Sequence, residues 1–379
     1  MNAATLGATP ERLGGLLQLV VALLLCIGLV MVASASMDVT AAQWGHPFYF
    51  LLRHLVYVVF GVTLGFFVYQ MPLAWWQGQR RTALALGLAL LVLVLLPVIG
   101  RHVNGSSRWI GVGPLTLQPS EIAKLTMVLY MAGFLDRFEQ DVRHRWPIGR
   151  SVAPCLIYAI ALMLEPDFGA TIVLCVSVAA MLWLAGSPLL RYLALLVLAA
   201  ALAAIAVVHA SYRLQRLIAY TDPWAHPLGS GYQLIQSEIA YGRGGLFGVG
   251  LGNSVQKLFY LPEAHTDFVL AVLAEEFGLL GLSVILALFV ILVLQGLRIG
   301  RQAEMQGRLF AAYLAYGLSV LIGIQALINM AVTAGALPTK GLTLPLVSYG
   351  GSSLIIELVM VALLLRVDRE NAQALEVAA

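Results

Sequence analysis

The chain has 379 residues, 60% of them hydrophobic and 11% charged, with a formal net charge of +3 and a mean hydropathy of +0.89. A water-soluble domain carries about 25% charged residues, so a soluble enzyme or binding module is excluded. Apolar runs long enough to cross a ~30 Å hydrocarbon core recur along the whole length, and they are continuous rather than alternating, which selects helices over a closed barrel.

In chain order, spans are expected at about 15–36, 53–71, 82–99, 119–135, 148–164, 168–186, 188–208, 267–297, 309–334 and 346–366. The fold class is therefore all-α: one integral membrane domain over 1–379, with about ten transmembrane helices. Ala33-Ser34-Ala35 resembles a signal-peptidase site. The apolar run before it exceeds the ~7–15 residues of a secretory h-region, so it is read as a retained first span. Cys26, Cys155 and Cys175 all fall inside apolar runs without CxxC spacing and are read as small core residues.

Thirteen of the 22 Lys and Arg fall on the short segments that lie inside when both termini are cytoplasmic. Eight fall outside, and Lys124 lies within a span. That bias fixes the orientation. It also turns the one long connection, about 209–266, outward. This loop reads as short amphipathic helices and turns, and eight glycines between Gly229 and Gly252 imply tight turns or close backbone packing.

Polar stretches punctuate this apolar chain. In "LQPSEIAKL" (117–125), Pro119 opens a helix, Ser120 is the expected cap, and Glu121 and Lys124 share a face three residues apart. An ionisable residue inside a span is a functional candidate by default, with a structural ion pair as the alternative. "EPDFG" (165–169) is an outer turn whose Glu165 and Asp167 cap helices or line a cavity.

The glycine cluster 241–254 matches neither a dinucleotide fingerprint nor a P-loop. Arg243 and Lys257 beside it are candidate phosphate contacts, or else solvated loop charges. "LPEAHTDFVL" (261–270) ends the long loop, and Thr266 is the expected cap for a helix carrying Asp267 in its first turn. Glu275 and Glu276 follow at once. Two carboxylates are costly at mid-membrane, so the spanning part is expected from Gly278 to Leu297, with 266–277 above it.

"LPTKGLTLPLVSYGGSS" (337–353) breaks helix regularity with Pro338, Gly341, Pro345, Gly350 and Gly351, and it brings Ser348, Tyr349, Ser352 and Ser353 to the same place. Irregular backbone at membrane depth is tolerated where it lines a cavity. The polar features thus converge on the outward half. A cavity there with Lys, Arg and a carboxylate suits an anionic amphiphile, such as a phosphorylated lipid with its head group outside.

These stretches, together with "NGSSRWI" (104–110) and "GYQLIQSEIA" (231–240), resemble the shape, elongation, division and sporulation (SEDS) family over roughly residues 12–370, most closely its division branch. The resemblance implies peptidoglycan glycosyltransfer: polymerisation of lipid II into β-1,4 glycan strands at the outer face of the bacterial cytoplasmic (inner) membrane, at the septum. It implies Asp267 as the essential carboxylate, acting as general base, and Glu121 with Lys124 as the functional membrane pair.

Candidate substrate contacts are Lys124, Glu121, Arg243, Lys257, Gln233, Ser348, Tyr349, Gly350, Gly351, Ser352 and Lys340. Lys124, Arg243 and Lys257, in that order, are the expected cations for the pyrophosphate. A divalent cation, Mg or Mn, would suit the same leaving group, but no DxD motif occurs and no metal ligands are assigned. The implied partners are a class B penicillin-binding protein transpeptidase (FtsI) and the FtsQ, FtsL and FtsB activators. A lipid II flippase, and a division scaffold without chemistry, are the competing readings. A flippase predicts polar residues tracking across the inner half, which the sequence leaves nearly bare.

Overall fold

The computed structural model describes residues 13–96, 99–103, 106–112, 115–144 and 148–378. Arg12 and Arg145 of the charge count, and Asn104-Gly105 of "NGSSRWI", lie outside them. Among the described residues, ten long helices overlap the ten expected spans, with α3 starting earlier and α12 ending later than expected: α1 (Gly14–Trp44), α2 (Tyr49–Gln70), α3 (Leu73–Val94), α4 (Pro119–His144), α5 (Ile148–Leu164), α6 (Phe168–Leu184), α7 (Leu189–Val208), α10 (Val269–Met305), α11 (Leu309–Thr333) and α12 (Gly351–Ala378). Five of them, α1, α2, α7, α10 and α11, are by themselves long and apolar enough to cross a membrane.

The long connection between α7 and α10 holds α8 (Ser211–Thr221), a one-turn 3₁₀ helix (Pro223–Ala225) and α9 (Tyr232–Gly244), as expected for short amphipathic pieces. The segment between α3 and α4 is not plain loop. It forms an antiparallel three-stranded sheet, β1 (Gly100–Val103), β2 (Ser106–Val112) and β3 (Leu115–Leu117), in the order β1-β2-β3. Arg101 opposes Trp109, and Ile110 opposes both Gly100 and Leu117.

α11 is the core helix. Its buried face runs from Phe310 to Thr333 and packs chiefly on α10, α4 and α6. α7 is the opposite case: a Leu/Ala/Val helix with no buried residue, packed chiefly on α6 and α8. Most of its surface is left for lipid. Between them, α12 lies along α2, and α3 along α4.

α10 breaks where the sequence places the start of its spanning part. Gly278 takes φ +63° and ψ −158°, outside helical space. The break frees backbone groups, and the glycine cluster satisfies them. Val249 N donates to Glu275 O (3.0 Å), and Gly250 N to Glu276 O (3.0 Å). In return, Leu279 N donates to Gly245 O (2.9 Å) and Leu280 N to Leu246 O (3.2 Å). Gly248 makes the approach possible, since a Cβ there would sit 2.1 Å from Glu276 O. The glycines serve a chain-to-chain contact inside the protein, which is where broken backbone at membrane depth is tolerated.

Two caps fall elsewhere than expected. α10 begins at Val269, and Thr266 Oγ1 turns back to Glu263, donating to its main-chain O (3.2 Å) and its Oε2 (2.8 Å). Ser120 sits inside the first turn because Pro119 already starts α4, and its buried hydroxyl caps nothing. Asp167 does cap α6, accepting from Ala170 N at 3.1 Å.

Candidate functional site

A cavity of about 930 Å³ opens among the N-terminal ends of α4 and α12, the sheet, α8, α9 and the loops at 261–268 and 337–350. Its size suits a ligand larger than a small metabolite. Asp267 lines it and is partly exposed there. The turn carrying Asp267 is short and tied down. Glu263 takes a left-handed φ of +58°, and its carbonyl accepts from Thr266 N (3.2 Å) and Phe268 N (3.3 Å). Tyr349 N donates to His265 O (3.0 Å), which joins this turn to the 337–350 loop. His265 stacks on Phe50, with ring centroids 4.4 Å apart, and burial holds its imidazole below the usual range. That makes it a packing residue.

The opposite wall is the broken segment before α12. Leu346 adopts a positive φ of 62°. Its N–H donates to the buried Glu357 Oε2 (2.7 Å), and Glu357 Oε1 accepts from Ser353 Oγ (2.6 Å). Ser348 Oγ accepts from Leu344 N (2.9 Å), closing the turn on itself. Gly341 faces Asp267 closely: a Cβ there would lie 3.3 Å from Asp267 Oδ2.

Burial, and then the negative charge of Glu263, push the Asp267 carboxyl up to about 7; Arg216 and Arg108 pull it down. Its protonation state is thus poised near neutral pH, where a general base works best. Burial lowers Lys340 to about 8, helped by Arg216, Arg213 and Arg108. The Lys340 ammonium sits 4.2 Å from the centroid of the Phe168 ring. Arg108, Arg216 and Lys340 all line the cavity. Arg108 is oriented by donating to the carbonyls of Glu165 (3.3 Å) and Pro166. Glu165 beside it is pushed up to about 9, first by burial and then by Asp167, so it adds no negative charge at neutral pH.

Of the residues singled out in the sequence, Asp267, Glu121, Gln233, Lys340, Tyr349 and Gly350 line this cavity. Thr266, Gly341 and Ser353 line it too, whereas Lys124, Arg243, Lys257, Ser348, Gly351 and Ser352 stand apart from its lining. Lys124 is 1% exposed and points inward, donating to Glu121 Oε1 (2.9 Å) and Gln325 Oε1 (2.5 Å). Lys257 is buried against Glu276 (3.0 Å) and Ser34 (3.0 Å). Arg243 pairs with the fully buried Glu275 (3.1 Å). Ser352 Oγ accepts from Gln118 N (3.1 Å), and Gly351 packs on the Tyr57 ring.

The three cations expected for the pyrophosphate thus lie off the cavity lining. Lys124, Arg243 and Lys257 pair with buried carboxylates, whereas Arg108 and Arg216 line the cavity with Lys340. Their signal was positional: Arg108 lies in "NGSSRWI" and Arg216 in the long connection. Glu357, Gln325 and Asn329 gave no local signal, because single polar residues in apolar runs reveal their partners only in three dimensions. Among the described residues, no group of three or more His, Cys, Asp or Glu is placed to hold a metal ion.

The FtsW/RodA/SpoVE family model, described as cell cycle protein, matches residues 15–373. The chain is 53% identical to the probable peptidoglycan glycosyltransferase FtsW of Halomonas elongata, over 93% of this chain and 89% of that one. It is 50% identical to the protein of the same name from Coxiella burnetii, over 92% and 94%. Among solved structures, a chain of a peptidoglycan synthase complex that coordinates polymerization and crosslinking superposes with a TM-score of 0.77 at 31% identity, covering 94% of this chain and 97% of that chain. The rod shape determining protein RodA of Thermus thermophilus gives 0.70 at 29% identity, over 94% and 96%.

Proposed function

The chain belongs to the FtsW/RodA/SpoVE family, and from that premise we propose that it is a peptidoglycan glycosyltransferase that polymerises lipid II, with Asp267 as general base. The observation that carries the reading is the meeting of one carboxyl poised near 7 with three cations around a single large cavity.

Asp267 accepts the proton of the acceptor sugar's 4-hydroxyl as that oxygen attacks the anomeric carbon of the donor. The new C–O bond forms on one face while the bond to the lipid pyrophosphate breaks on the other. An α-linked donor thus gives a β-1,4 link in one inverting step, and a single base suffices, unlike the two-carboxylate arrangement of glycosidases. The base contributes on the order of 10²–10⁴ in rate. Arg108, Arg216 and Lys340 stabilise the charge that develops on the departing pyrophosphate. Gln233, Tyr349 and Gly350 supply further contacts to the head group. The described residues offer no ready-made metal ligand set, and no step is assigned to Mg or Mn.

The high identity to proteins named FtsW supports the division branch, and with it action at the septum in the cytoplasmic (inner) membrane with both termini inside. The synthase complex among the structural relatives supports a class B transpeptidase partner (FtsI); FtsQ, FtsL and FtsB are proposed as its activators. Lipid II translocation is not adopted, since the relatives are named for glycosyl transfer. The deciding experiment is lipid II polymerisation by purified protein with its transpeptidase, for wild type and Asp267→Asn. Loss of polymer in the variant is expected. Polymerisation by Asp267→Asn at the wild-type rate would overturn the mechanism.

A further inference from the structure

α11 carries three buried polar side chains at i, i+4 and i+8: Gln325, Asn329 and Thr333. That spacing places them in one line up the helix. Each reaches a different neighbour. Gln325 accepts from Lys124, and Thr333 meets the Tyr241 hydroxyl at 3.0 Å. Asn329, between them, is 1% exposed, and its single amide nitrogen bridges the two walls of the cavity. It donates to Asp267 O at 2.9 Å and to Leu342 O at 2.6 Å.

The Asp267 carbonyl is not claimed by the start of α10, because Ala271 N and Val272 N both turn to Phe268 O. The Leu342 carbonyl belongs to a segment without helix or strand. Both walls are therefore irregular backbone that could shift, and one rigid side chain on the core helix ties them together. The atoms between the two bonds are those of the site: the Asp267 carboxylate on one wall, Lys340 and Gly341 on the other.

We propose that Asn329 is a positioning residue that fixes the gap between the Asp267 carboxylate and the 340–342 wall. The proposal rests on Asp267 being the general base. Asn329 touches no substrate. It acts by holding the base at reacting distance from a hydroxyl that the opposite wall orients. Removing the two donors lets the walls move separately, so the effect falls on the chemical step and not on lipid II capture.

The test uses the full chain with its transpeptidase, lipid II turnover, and hydrogen–deuterium exchange of segments 262–273 and 337–347. Asn329→Leu is expected to lower kcat at least ~10-fold, because small misplacement of a reacting group is expensive. KM should stay within about 3-fold, and exchange should quicken in both segments together. Asn329→Asp keeps the volume and covers the case in which the leucine variant does not fold. Its carboxyl donates one proton when protonated and none when ionised, so its kcat relative to wild type should be highest at acid pH and fall as pH rises.

A wild-type kcat in either variant, or unchanged exchange in either segment, overturns the proposal. Asp267→Asn, run in parallel, keeps the two readings apart. If Asp267→Asn is inactive and Asn329→Leu is normal, only the positioning role fails. If Asp267→Asn polymerises normally, the general-base reading itself fails.

Discussion

Asp267 and Gly341 face each other across the cavity: a Cβ added at Gly341 would lie 3.3 Å from Asp267 Oδ2. Gly341 carries no left-handed φ, so backbone strain does not demand a glycine there. What demands it is the space in front of the carboxylate. Gly341→Ala should lower kcat about 10-fold, and Gly341→Leu at least about 100-fold, with little change in thermal stability. A wild-type kcat for the alanine variant would show that the carboxylate has room to spare.

The pH profile follows from the two groups on these walls. Asp267 must be ionised to accept a proton, and its carboxyl is pushed up to about 7. Activity should therefore climb as pH rises through about 7. Lys340, lowered to about 8, must be protonated to meet a phosphate, so activity should fall above that value. The result is a bell with its top between the two. Glu263→Gln removes a charge that raises Asp267 and should move the acid limb to lower pH. Lys340→Arg keeps its charge at all accessible pH and should flatten the alkaline limb. An acid limb that stays in place in Glu263→Gln would argue that Asp267 does not set it.

Charge on the leaving group should be met by the cations that line the cavity. Arg216→Gln and Lys340→Gln should each lower kcat/KM about 10- to 100-fold. Arg243→Gln should stay within about 2-fold of wild type. Its partner Glu275 keeps bonds from Ser254 Oγ (2.5 Å), Val255 N (3.0 Å) and Gln256 N (3.2 Å). Steady-state turnover of lipid II by the three variants checks this directly. Loss of activity in Arg243→Gln alone would restore the glycine cluster as a phosphate site.

The ten spans were legible because lipid imposes a length and an apolarity that no soluble fold needs. The start of the spanning part at Gly278 was legible for the same reason, since two carboxylates just before it could not lie at mid-membrane; the kink itself was not. Asp267 stood out as a charge at a span's edge, and the 337–353 segment as broken backbone. The cation roles were not legible. A lysine in an apolar run looks alike whether it faces a cavity or a buried carboxylate, and only packing separates Lys340 from Lys124 and Lys257. The sheet at 100–117 escaped because its strands are short and alternate weakly, so no periodicity announced them. Asn329 escaped because its meaning lies in two carbonyls, and carbonyls have no sequence signature.

Lys124 supplies the last test, because its role follows from what surrounds it. Its ammonium contacts Glu121 and Gln325, and Gln325 in turn donates to Glu357 at 3.3 Å. One buried cation thus stands among two buried carboxylic groups. Lys124→Met keeps the length and apolar stem but strips the cation, leaving Glu121 without its ion-pair partner. Breaking one side of a buried pair costs ~3–5 kcal/mol, so the purified variant should melt several degrees lower. Glu121→Gln combined with Lys124→Met removes the stranded charge and should recover part of that loss. This recovery separates an ion-pair role from a simple packing role. A double variant no more stable than Lys124→Met alone would show that Lys124 supports the bundle by filling space and not by charge.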